Sequence, residues 1–575
     1  MPSDRDNSAP DDRIHQFEPL TQTESTWIQS LWPGLVGLVL LASTWTSFAG
    51  LGSSLPLDAH EVFVARSTEE MLDRGQWLVP YFNDSPRLKK PPLEYWLVMA
   101  GNAATGGDST ITEFEARLPS ALAGVGLTAL AIALGTLLVH RGVGLFAGIM
   151  LATSSGFISY SHSARPEMVY AFLCTAGLLG FVLSERWYAL AHRRNLGKLA
   201  ATLGWIAFGL ATLTKGPQLP IPMILGWLIG AWRTGTLRTT WRSMFPVLGI
   251  LVYLIISFWW FVVIWQIVPN AGQIWEEETI SRFVERSSSW LTLLDPYYLY
   301  HPIGMIVPWV FFVPGALLGP WLKRLKIKPG AMRMWWVLLI VAIVLSFSRG
   351  RRWYYMLPVL APYMVLVAST AWSVADLLWA ERRLWQWRAL LMVHISCLAA
   401  AAVVLLSRHA DRFPTGALWM SALVLIFAVL CIAALVLAKT RSRLGVCGSM
   451  LLTGVFAASA FGLVETRAGF WRPVRYEKQA FAEQVSQVIT PQSTLLGWSD
   501  PWEEQQYYLH RPIPIYFDQA EFERAIAEAD DPVWVLVDQK HGQLQLGDGF
   551  AAEQVLSTPL KDDPHRLQLW KVSSQ

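Results

Sequence analysis

The charged residues that could take part in chemistry lie in short segments between long apolar runs. One segment begins with Asp58, His60 and Glu61 and continues to Lys89 and Lys90. Carboxylate and imidazole groups can accept or donate protons near neutral pH, whereas ammonium groups can bind phosphate. Whether these side chains can act together depends on the elements that position them, and the apolar runs indicate what those elements are.

The composition of the chain is that of a membrane protein. Of its 575 residues, 53% are hydrophobic and only 15% are charged, and the mean hydropathy is +0.34. A disordered chain or a nucleic-acid-binding protein would carry far more charge, so both classes are excluded. Apolar runs close to the length of a bilayer crossing recur between residues 31 and 464. The sequence therefore predicts an α-helical polytopic membrane domain with a polar C-terminal tail.

Thirteen membrane spans are predicted from the apolar runs. They cover residues 31–48, 118–139, 143–160, 168–185, 199–214, 218–232, 244–268, 302–322, 334–348, 354–375, 389–407, 416–438 and 445–464. Lysines and arginines cluster in alternate loops, which are expected to face the cytoplasm. With an odd number of spans, residues 1–30 are cytoplasmic, and the first loop (residues 49–117) and the tail share the opposite side. No retention signal is apparent, so we expect a bacterial inner-membrane protein with a periplasmic C-terminal domain.

The tail, residues 465–575, is expected to form a small α/β domain. Apolar alternation predicts strands at residues 493–498, 533–538 and 566–572, and residues 522–529 predict a helix. It contains no phosphate-binding glycine loop or catalytic signature, and we expect it to pack over the membrane domain.

A run of arginines departs from the charge pattern of the other loops. Arg349, Arg351 and Arg352 fall on the non-cytoplasmic side, against the preference of basic residues for the cytoplasm. Such an exception indicates a binding partner, and an anionic lipid phosphate suits guanidinium groups. In the first loop, apolar positions between Glu61 and Arg74 predict an amphipathic helix that lies on the membrane surface.

Three elements of the first loop, taken in order, resemble a known family. They are an acidic pair, Asp58 and Glu61, an EML-x-x-G-x-W-x-x-P stretch from Glu70 to Pro80, and a K-P-P-L-x-Y-W stretch from Lys90 to Trp96. The chain is thereby similar to the polytopic glycosyltransferases of the GT-C type, in the group that holds aminoarabinose transferases of lipid A and protein O-mannosyltransferases. The resemblance covers residues 31–464.

The resemblance implies transfer of a sugar from a polyprenyl-phosphate carrier to a lipid A, protein or other envelope acceptor on the periplasmic face. A carboxylate would take the proton of the acceptor hydroxyl as it attacks the anomeric carbon in one inverting displacement, and cations would hold the departing phosphate. Asp58 is the first candidate for the base. Glu61 and His60 remain alternatives, because counting back from the EML stretch places them at the acidic pair.

The same resemblance assigns residues to the donor. Lys90 is the leading candidate for the phosphate, and Lys89 is expected to be an interfacial lysine. The further candidates are Arg165, Lys215, Arg351, Arg352 and Tyr355 for the donor phosphate, with Tyr354 as a register alternative, and His60, Glu167 and Tyr95 for the substrate pocket. The structural alternatives are an Arg165–Glu167 ion pair, an interfacial Lys215 and an aromatic-belt role for Tyr95.

No cofactor is expected to be required, although a divalent metal ion near His60 or Glu167 is an alternative. The main alternative function is a membrane transporter or lipid flippase. Such proteins bury ionisable residues at mid-bilayer, whereas the predicted spans are nearly free of charge. A membrane scaffold with a binding tail is the third hypothesis. Nucleic acid is not an expected partner.

Overall fold

The computed structural model describes residues 26–380, 385–386, 389, 393 and 473–574, apart from residues 53–54, 277–295, 320, 323–326, 348–350, 530–531, 541–543, 548 and 560–565. The predicted spans at residues 416–438 and 445–464 lie outside the described residues, and so does the predicted span at residues 389–407 apart from residues 389 and 393. The described part consists of membrane helices, a folded first loop and a C-terminal α/β domain.

The elements that precede the C-terminal domain are mostly helical. In chain order they are α1 (Thr26–Phe48), α2 (Ala59–Asp73), β1 (Tyr81–Phe82), β2 (Ser85–Pro86), α3 (Leu93–Thr105), α4 (Glu113–Leu138), α5 (Arg141–Ala152), α6 (Ser155–Ser161), α7 (Glu167–Tyr188), α8 (Arg194–Lys215), α9 (Pro220–Arg233), α10 (Leu237–Ser243), α11 (Pro246–Ile267), α12 (Ala271–Trp275), α13 (Tyr297–Tyr300), α14 (Val313–Leu318), α15 (Pro329–Ser346) and α16 (Leu360–Ala380). Seven helices of the described residues are long and apolar enough to cross a membrane, or eight if α5 and α6 form one bent span. The chain is therefore a multi-pass membrane protein.

Three predicted spans do not form single helices of membrane-spanning length. Residues 143–160 become α5 and α6, which meet at 59°, and residues 218–232 become the 14-residue α9. Residues 302–322 become 3₁₀ turns followed by the short α14. Prolines at 302, 308 and 314 lack the N–H group that a continuous helix needs. A hydropathy window records apolar content but not these breaks, which explains the difference.

Helices α7 and α8 form a tightly packed hairpin. A Cβ atom on Gly180 would lie 2.6 Å from the Cα atom of Gly204, so the two backbones can approach only because both residues are small. The hairpin brings Glu167, the first residue of α7, to Lys215, the last residue of α8. The connection thereby places two residues from separate sequence segments at the same end of the bundle.

The first loop folds around α2. Asp58 caps this helix, because its side chain accepts a hydrogen bond from the Glu61 N–H and the Glu61 carboxylate accepts one from the Asp58 N–H. The predicted helix is present, but its predicted setting on the membrane surface is wrong. Its polar residues Arg66, Glu69 and Glu70 are buried together with its apolar ones, because protein covers both faces of the helix.

The C-terminal domain is a mixed five-stranded sheet with flanking helices. Its elements are α17 (Pro473–Val488), β3 (Leu495–Trp498), α18 (Glu503–Tyr508), β4 (Ile515–Tyr516), α19 (Gln519–Glu528), β5 (Val533–Asp538), β6 (Phe550–Pro559) and β7 (Arg566–Ser574). The strand order is β4-β3-β5-β7-β6, with β3 parallel to β4 and β5 and the other pairs antiparallel. The three predicted strands and the predicted helix are present, and the α/β class is confirmed. The sequence missed β4, β6, α17 and α18.

The C-terminal domain is docked on the first loop. The Tyr507 hydroxyl donates to the Ile111 carbonyl at 2.6 Å, and Asn83 exchanges two hydrogen bonds with the Ile513 backbone at 2.8 and 2.9 Å. The His510 ring lies 3.1 Å from Glu69. The His510 contact lies on the polar face of α2, and the three contacts together hold the domain beside the acidic pair.

Candidate active site

Asp58 lies between two arginines. Its Oδ2 accepts hydrogen bonds from Arg165 at 2.6 Å and from Arg475 at 2.7 Å. Its Oδ1 accepts the cap bond from the Glu61 N–H at 2.9 Å. The side chain is 23% exposed, so it is held in one orientation but remains accessible to a small group from outside.

Glu61 is enclosed by donors. Its oxygens accept hydrogen bonds from Arg117 Nε, from Arg475 and from the Ala164 N–H, each at 3.0 Å. Burial alone would raise the pKa of Glu61, but Arg117 and Arg475 lower it to about 2. A buried carboxylate with this many donors is a poor proton acceptor. The geometry therefore favours Asp58 over Glu61 as the group that faces a substrate.

We expect Glu61→Gln to destabilise the protein strongly. The substitution leaves the buried guanidinium of Arg117 without its counter-charge, and breaking a buried ion pair in this way costs about 3–5 kcal/mol. The thermal unfolding midpoint of the purified protein in detergent should fall by several degrees. Asp58→Asn changes the more exposed of the two carboxylates of the acidic pair and should lower the midpoint much less. Equal midpoints for Glu61→Gln and the wild type would contradict this role.

His60 lies on the same turn as the acidic pair and is exposed. Partial burial of its ring and the charge of Arg165 lower the pKa of His60 below its ordinary value, although Asp58 and Glu167 act in the opposite direction. The imidazole is therefore neutral at neutral pH. Arg352 also acts on this ring, which places Arg352 within electrostatic range of the acidic pair.

A second group of charges surrounds the start of α7. Lys215 Nζ contacts Glu167 Oε1 at 2.7 Å, and both side chains are nearly buried. The same ammonium lies 5.0 Å from the ring of Tyr355 and 5.5 Å from that of Tyr354. Glu167 Oε2 has no hydrogen-bond partner among the described residues. One oxygen of this carboxylate is thus occupied and the other is open.

Lys90 is the half-buried cation of this group. Its ammonium makes no hydrogen bond or ion pair with the part of the chain that the structure describes. Burial lowers the pKa of Lys90 to about 7, and the charge of Lys215 adds to the effect while Glu167 opposes it. Near neutral pH the amine therefore gains or loses its proton readily, and an arriving anion would favour the charged form.

Arg165 and Glu167 join the two groups. They are two residues apart, and Arg165 contacts Asp58 while Glu167 contacts Lys215 and attracts Lys90. The structure therefore brings together Asp58, His60, Glu61, Lys90, Arg165, Glu167, Lys215, Arg352 and Tyr355. The Arg165–Glu167 pair considered as a structural alternative is replaced by two separate ion pairs with other partners.

Two candidates have different surroundings. Arg351 donates to the Ser346 carbonyl at 2.9 Å and so contacts the end of α15. Tyr95 is 1% exposed and packs in the apolar core of the first loop, where its hydroxyl accepts a hydrogen bond from Arg87 at 3.2 Å. Tyr95 therefore lies neither in an open substrate pocket nor in an aromatic belt.

Glu94 is a buried acid that the sequence interpretation overlooked. It occupies the variable position of the K-P-P-L-x-Y-W stretch, is 2% exposed, and neither of its oxygens has a hydrogen-bond partner among the described residues. Burial raises the pKa of Glu94 to about 8, with a contribution from the charge of Glu167. The side chain is therefore a neutral carboxylic acid at neutral pH.

This proton gives Glu94 a measurable effect on stability. Between about pH 4.5 and about pH 8, the folded protein keeps a proton that the unfolded chain releases, so wild-type stability falls as the pH rises through this window. Glu94→Gln is uncharged throughout, and its unfolding midpoint relative to the wild type should rise steadily from about pH 5 to about pH 8. The exposed Glu483→Gln is the control and should show no such trend. A constant difference for Glu94→Gln would mean that Glu94 is ionised in the folded protein.

Two further residues of the site were also missed. Arg117 lies near the start of α4, directly before the predicted span at residues 118–139 and outside the three motifs of the first loop. Arg475 is 417 positions from Asp58 in a segment without a motif, and no sequence signal pointed to it. As regards metals, the described residues contain no group of three or more His, Cys, Asp or Glu side chains that could hold an ion.

Similarity to known proteins agrees with this arrangement. Residues 55–270 match the family model described as dolichyl-phosphate-mannose-protein mannosyltransferase. The undecaprenyl phosphate-alpha-4-amino-4-deoxy-L-arabinose arabinosyl transferase 1 of Pseudomonas fluorescens is 27% identical over 345 residues, or 56% of this chain and 58% of the relative. The corresponding transferase of Edwardsiella ictaluri is 28% identical over 54% of each chain. The chain thus spans little more than half the length of these relatives.

The fold is shared with a solved structure over almost its whole length. The crystal structure of ArnT from Cupriavidus metallidurans bound to undecaprenyl phosphate has a TM-score of 0.72 at 18% identity, and the match covers 93% of this chain and 98% of that chain. An oligosaccharyltransferase from Archaeoglobus fulgidus follows with a TM-score of 0.50 at 13% identity, covering 90% of this chain and 70% of that chain. The predicted GT-C fold and the resemblance to this group are confirmed.

Proposed function

We propose that the chain is an integral-membrane glycosyltransferase that moves a sugar from a polyprenyl-phosphate carrier to an acceptor at the periplasmic face. The proposal rests on one observation, which is that Asp58 and the lysines Lys90 and Lys215 lie in one site. Arg165 contacts Asp58, and Glu167, two residues later, contacts Lys215 and attracts Lys90. A partly exposed carboxylate beside a half-buried cluster of cations suits a reaction that removes a proton and releases a phosphate.

The proposed reaction is one inverting displacement. The acceptor oxygen forms a bond to the anomeric carbon and gives its proton to Asp58, while the bond from that carbon to the phosphate oxygen breaks and its electron pair stays on the phosphate. Arg165 and Arg475 both contact Oδ2 of Asp58 and fix its orientation. Because Oδ1 accepts only the cap bond among the described residues, it has a lone pair left for the acceptor.

The departing phosphate is assigned to the cations of the second group. Lys90 has no partner among the described residues and would gain one in the phosphate, whereas Lys215 contributes charge while it stays paired with Glu167. Arg352 is exposed and supplies a guanidinium from the segment just before α16. These groups provide the positive charge that a metal ion would otherwise supply, so the proposed reaction requires no cofactor.

The matched family and the transferase relatives are named for a polyprenyl-phosphate carrier, but they are named for different sugars. The family description names dolichyl-phosphate-mannose, and the relatives are named for undecaprenyl phosphate with an amino-arabinose. We therefore assign a polyprenyl-phosphate-linked sugar as the donor and a lipid A, protein or other envelope molecule as the acceptor. The location we propose is the bacterial inner membrane, with the C-terminal domain in the periplasm.

The topology fits this location. The first loop and the C-terminal domain are in contact, so they lie on the same side of the membrane. The chain between them must then cross the membrane an even number of times. The basic loops at the other ends of the helices support a cytoplasmic assignment for the opposite side.

The proposal is tested by mass spectrometry of polyprenyl-phosphate sugars and envelope glycans in strains with and without this gene. Loss of the gene should cause one carrier-linked sugar to accumulate and one envelope modification to disappear, and the purified protein should restore transfer from that donor. Unchanged carriers and glycans would overturn the proposal. Movement of the carrier lipid across vesicles without sugar transfer would instead support the transporter alternative.

A further inference from the structure

The C-terminal domain places one charged side chain on the acidic pair of the first loop. Arg475 lies in the first turn of α17 and donates to Asp58 Oδ2 at 2.7 Å and to Glu61 Oε2 at 3.0 Å. A third hydrogen bond runs to the Pro56 carbonyl at 3.1 Å. The arginine side chain is 13% exposed. One guanidinium therefore spans the partly open carboxylate, the enclosed carboxylate and the backbone just before α2.

We propose that Arg475 is a positioning residue for Asp58, and that the C-terminal domain thereby completes the active site. This inference rests on the proposed function. Arg165 and Arg475 reach the same oxygen from two separate parts of the chain. Their joint contact selects one rotamer of Asp58 and directs Oδ1 away from both guanidinium groups. Without Arg475, Arg165 alone would hold the carboxylate, and its orientation would be less restricted.

The contact of Arg475 with both carboxylates requires the two terminal nitrogens of a guanidinium group. The two terminal nitrogens of Arg475 bind different carboxylates, NH2 that of Asp58 and NH1 that of Glu61. A planar guanidinium presents donors at fixed angles, whereas a lysine ammonium is a single point of charge. A lysine at position 475 could keep the charge near the pair but could not reproduce both directed bonds.

A purely structural role in docking the domain is the competing explanation, and the structure offers a way to separate the two. The domain is also held by Tyr507 on Ile111, by Asn83 on Ile513 and by His510 on Glu69. None of these contacts involves Asp58 or Glu61. The removal of one of them weakens docking without touching the acidic pair. The removal of Arg475 acts directly on the acidic pair, while these three contacts remain to hold the domain.

The test compares Arg475→Gln, Arg475→Lys and the docking control Tyr507→Phe in the full-length purified protein. We expect Arg475→Gln to lower kcat by about 10²-fold with little change in the KM for the donor, because misplacement of a reacting group by about 1 Å costs that much. Arg475→Lys should recover part of the loss. Tyr507→Phe should lower the unfolding midpoint but keep kcat near the wild-type value.

Several outcomes would overturn the inference. They are a wild-type kcat for Arg475→Gln, an equal loss of kcat in Tyr507→Phe, or a loss confined to the KM for the donor. If Arg475→Gln does not fold, the decision falls to Arg475→Lys, whose kcat should be reduced at an unchanged unfolding midpoint. A failure of the proposed function is distinguishable, because the wild-type protein itself would then transfer no sugar.

Discussion

Asp58→Asn is expected to lower the rate of sugar transfer by about 10²–10⁴-fold, the usual contribution of a general base. Asparagine can still accept the cap bond from the Glu61 N–H, so α2 should form normally. It cannot take the proton of the acceptor, and it loses the charge that attracts Arg165 and Arg475. The measurement is single-turnover transfer from a labelled donor, together with donor binding, which should be retained.

A matched control for this substitution is Asp73→Asn. Asp73 is the last residue of the same helix and is exposed, so its substitution should leave transfer unchanged. If Asp58→Asn kept its turnover, Asp58 would not be the base. Glu167 would then be the next carboxylate to test, because its Oε2 has no partner among the described residues.

Lys90→Met is expected to weaken donor binding by about 10- to 100-fold, since hydrogen bonds to charged groups contribute about 1.5–3 kcal/mol. Methionine keeps the length and apolar character of the stem, so the loss reports the ammonium group. Lys89→Met, at the neighbouring position, is the matched control and should bind the donor almost as the wild type does. The measurement is the Kd for the carrier phosphate in detergent or nanodiscs.

The pH dependence gives a second, independent reading of Lys90. The pKa of Lys90 is lowered to about 7, so the amine is charged at pH 6 and mostly neutral at pH 8. If the phosphate binds the charged form, wild-type affinity should fall by about tenfold between these two pH values. Lys90→Met should show no such fall. A wild-type affinity that stays constant from pH 6 to pH 8 would place the phosphate elsewhere.

The sequence was informative where chemistry is local. The first-loop motifs identified Asp58, Glu61 and Lys90, and the loop before α7 identified Arg165 and Glu167. Each lies within a short segment whose residue types indicate a chemical role. The capping box at Asp58 and Glu61 is equally local, because it depends on a spacing of three residues.

The sequence was uninformative where contacts are long-range. The docking of the C-terminal domain buries the polar face of α2, a helix that periodicity alone placed on the membrane surface. Arg475 meets the acidic pair only through that docking. The distinction between Asp58 and Glu61 also required coordinates, since it depends on how many donors surround each carboxylate. Similarly, the prolines that divide residues 302–322 were visible, but the hydropathy of the run was not sensitive to them.

The distance along the chain between Asp58 and Arg475 has a consequence for biogenesis. The ribosome synthesises the first loop early, and the guanidinium that contacts its carboxylate is made 417 residues later. If both face the periplasm, the acidic pair has only Arg165 and Arg117 as partners until the segment that contains Arg475 has been translocated. A nascent polypeptide that has already inserted its early helices would thus lack the contact between Arg475 and Asp58, and the proposed site would be assembled only after the C-terminal domain reaches the same side of the membrane.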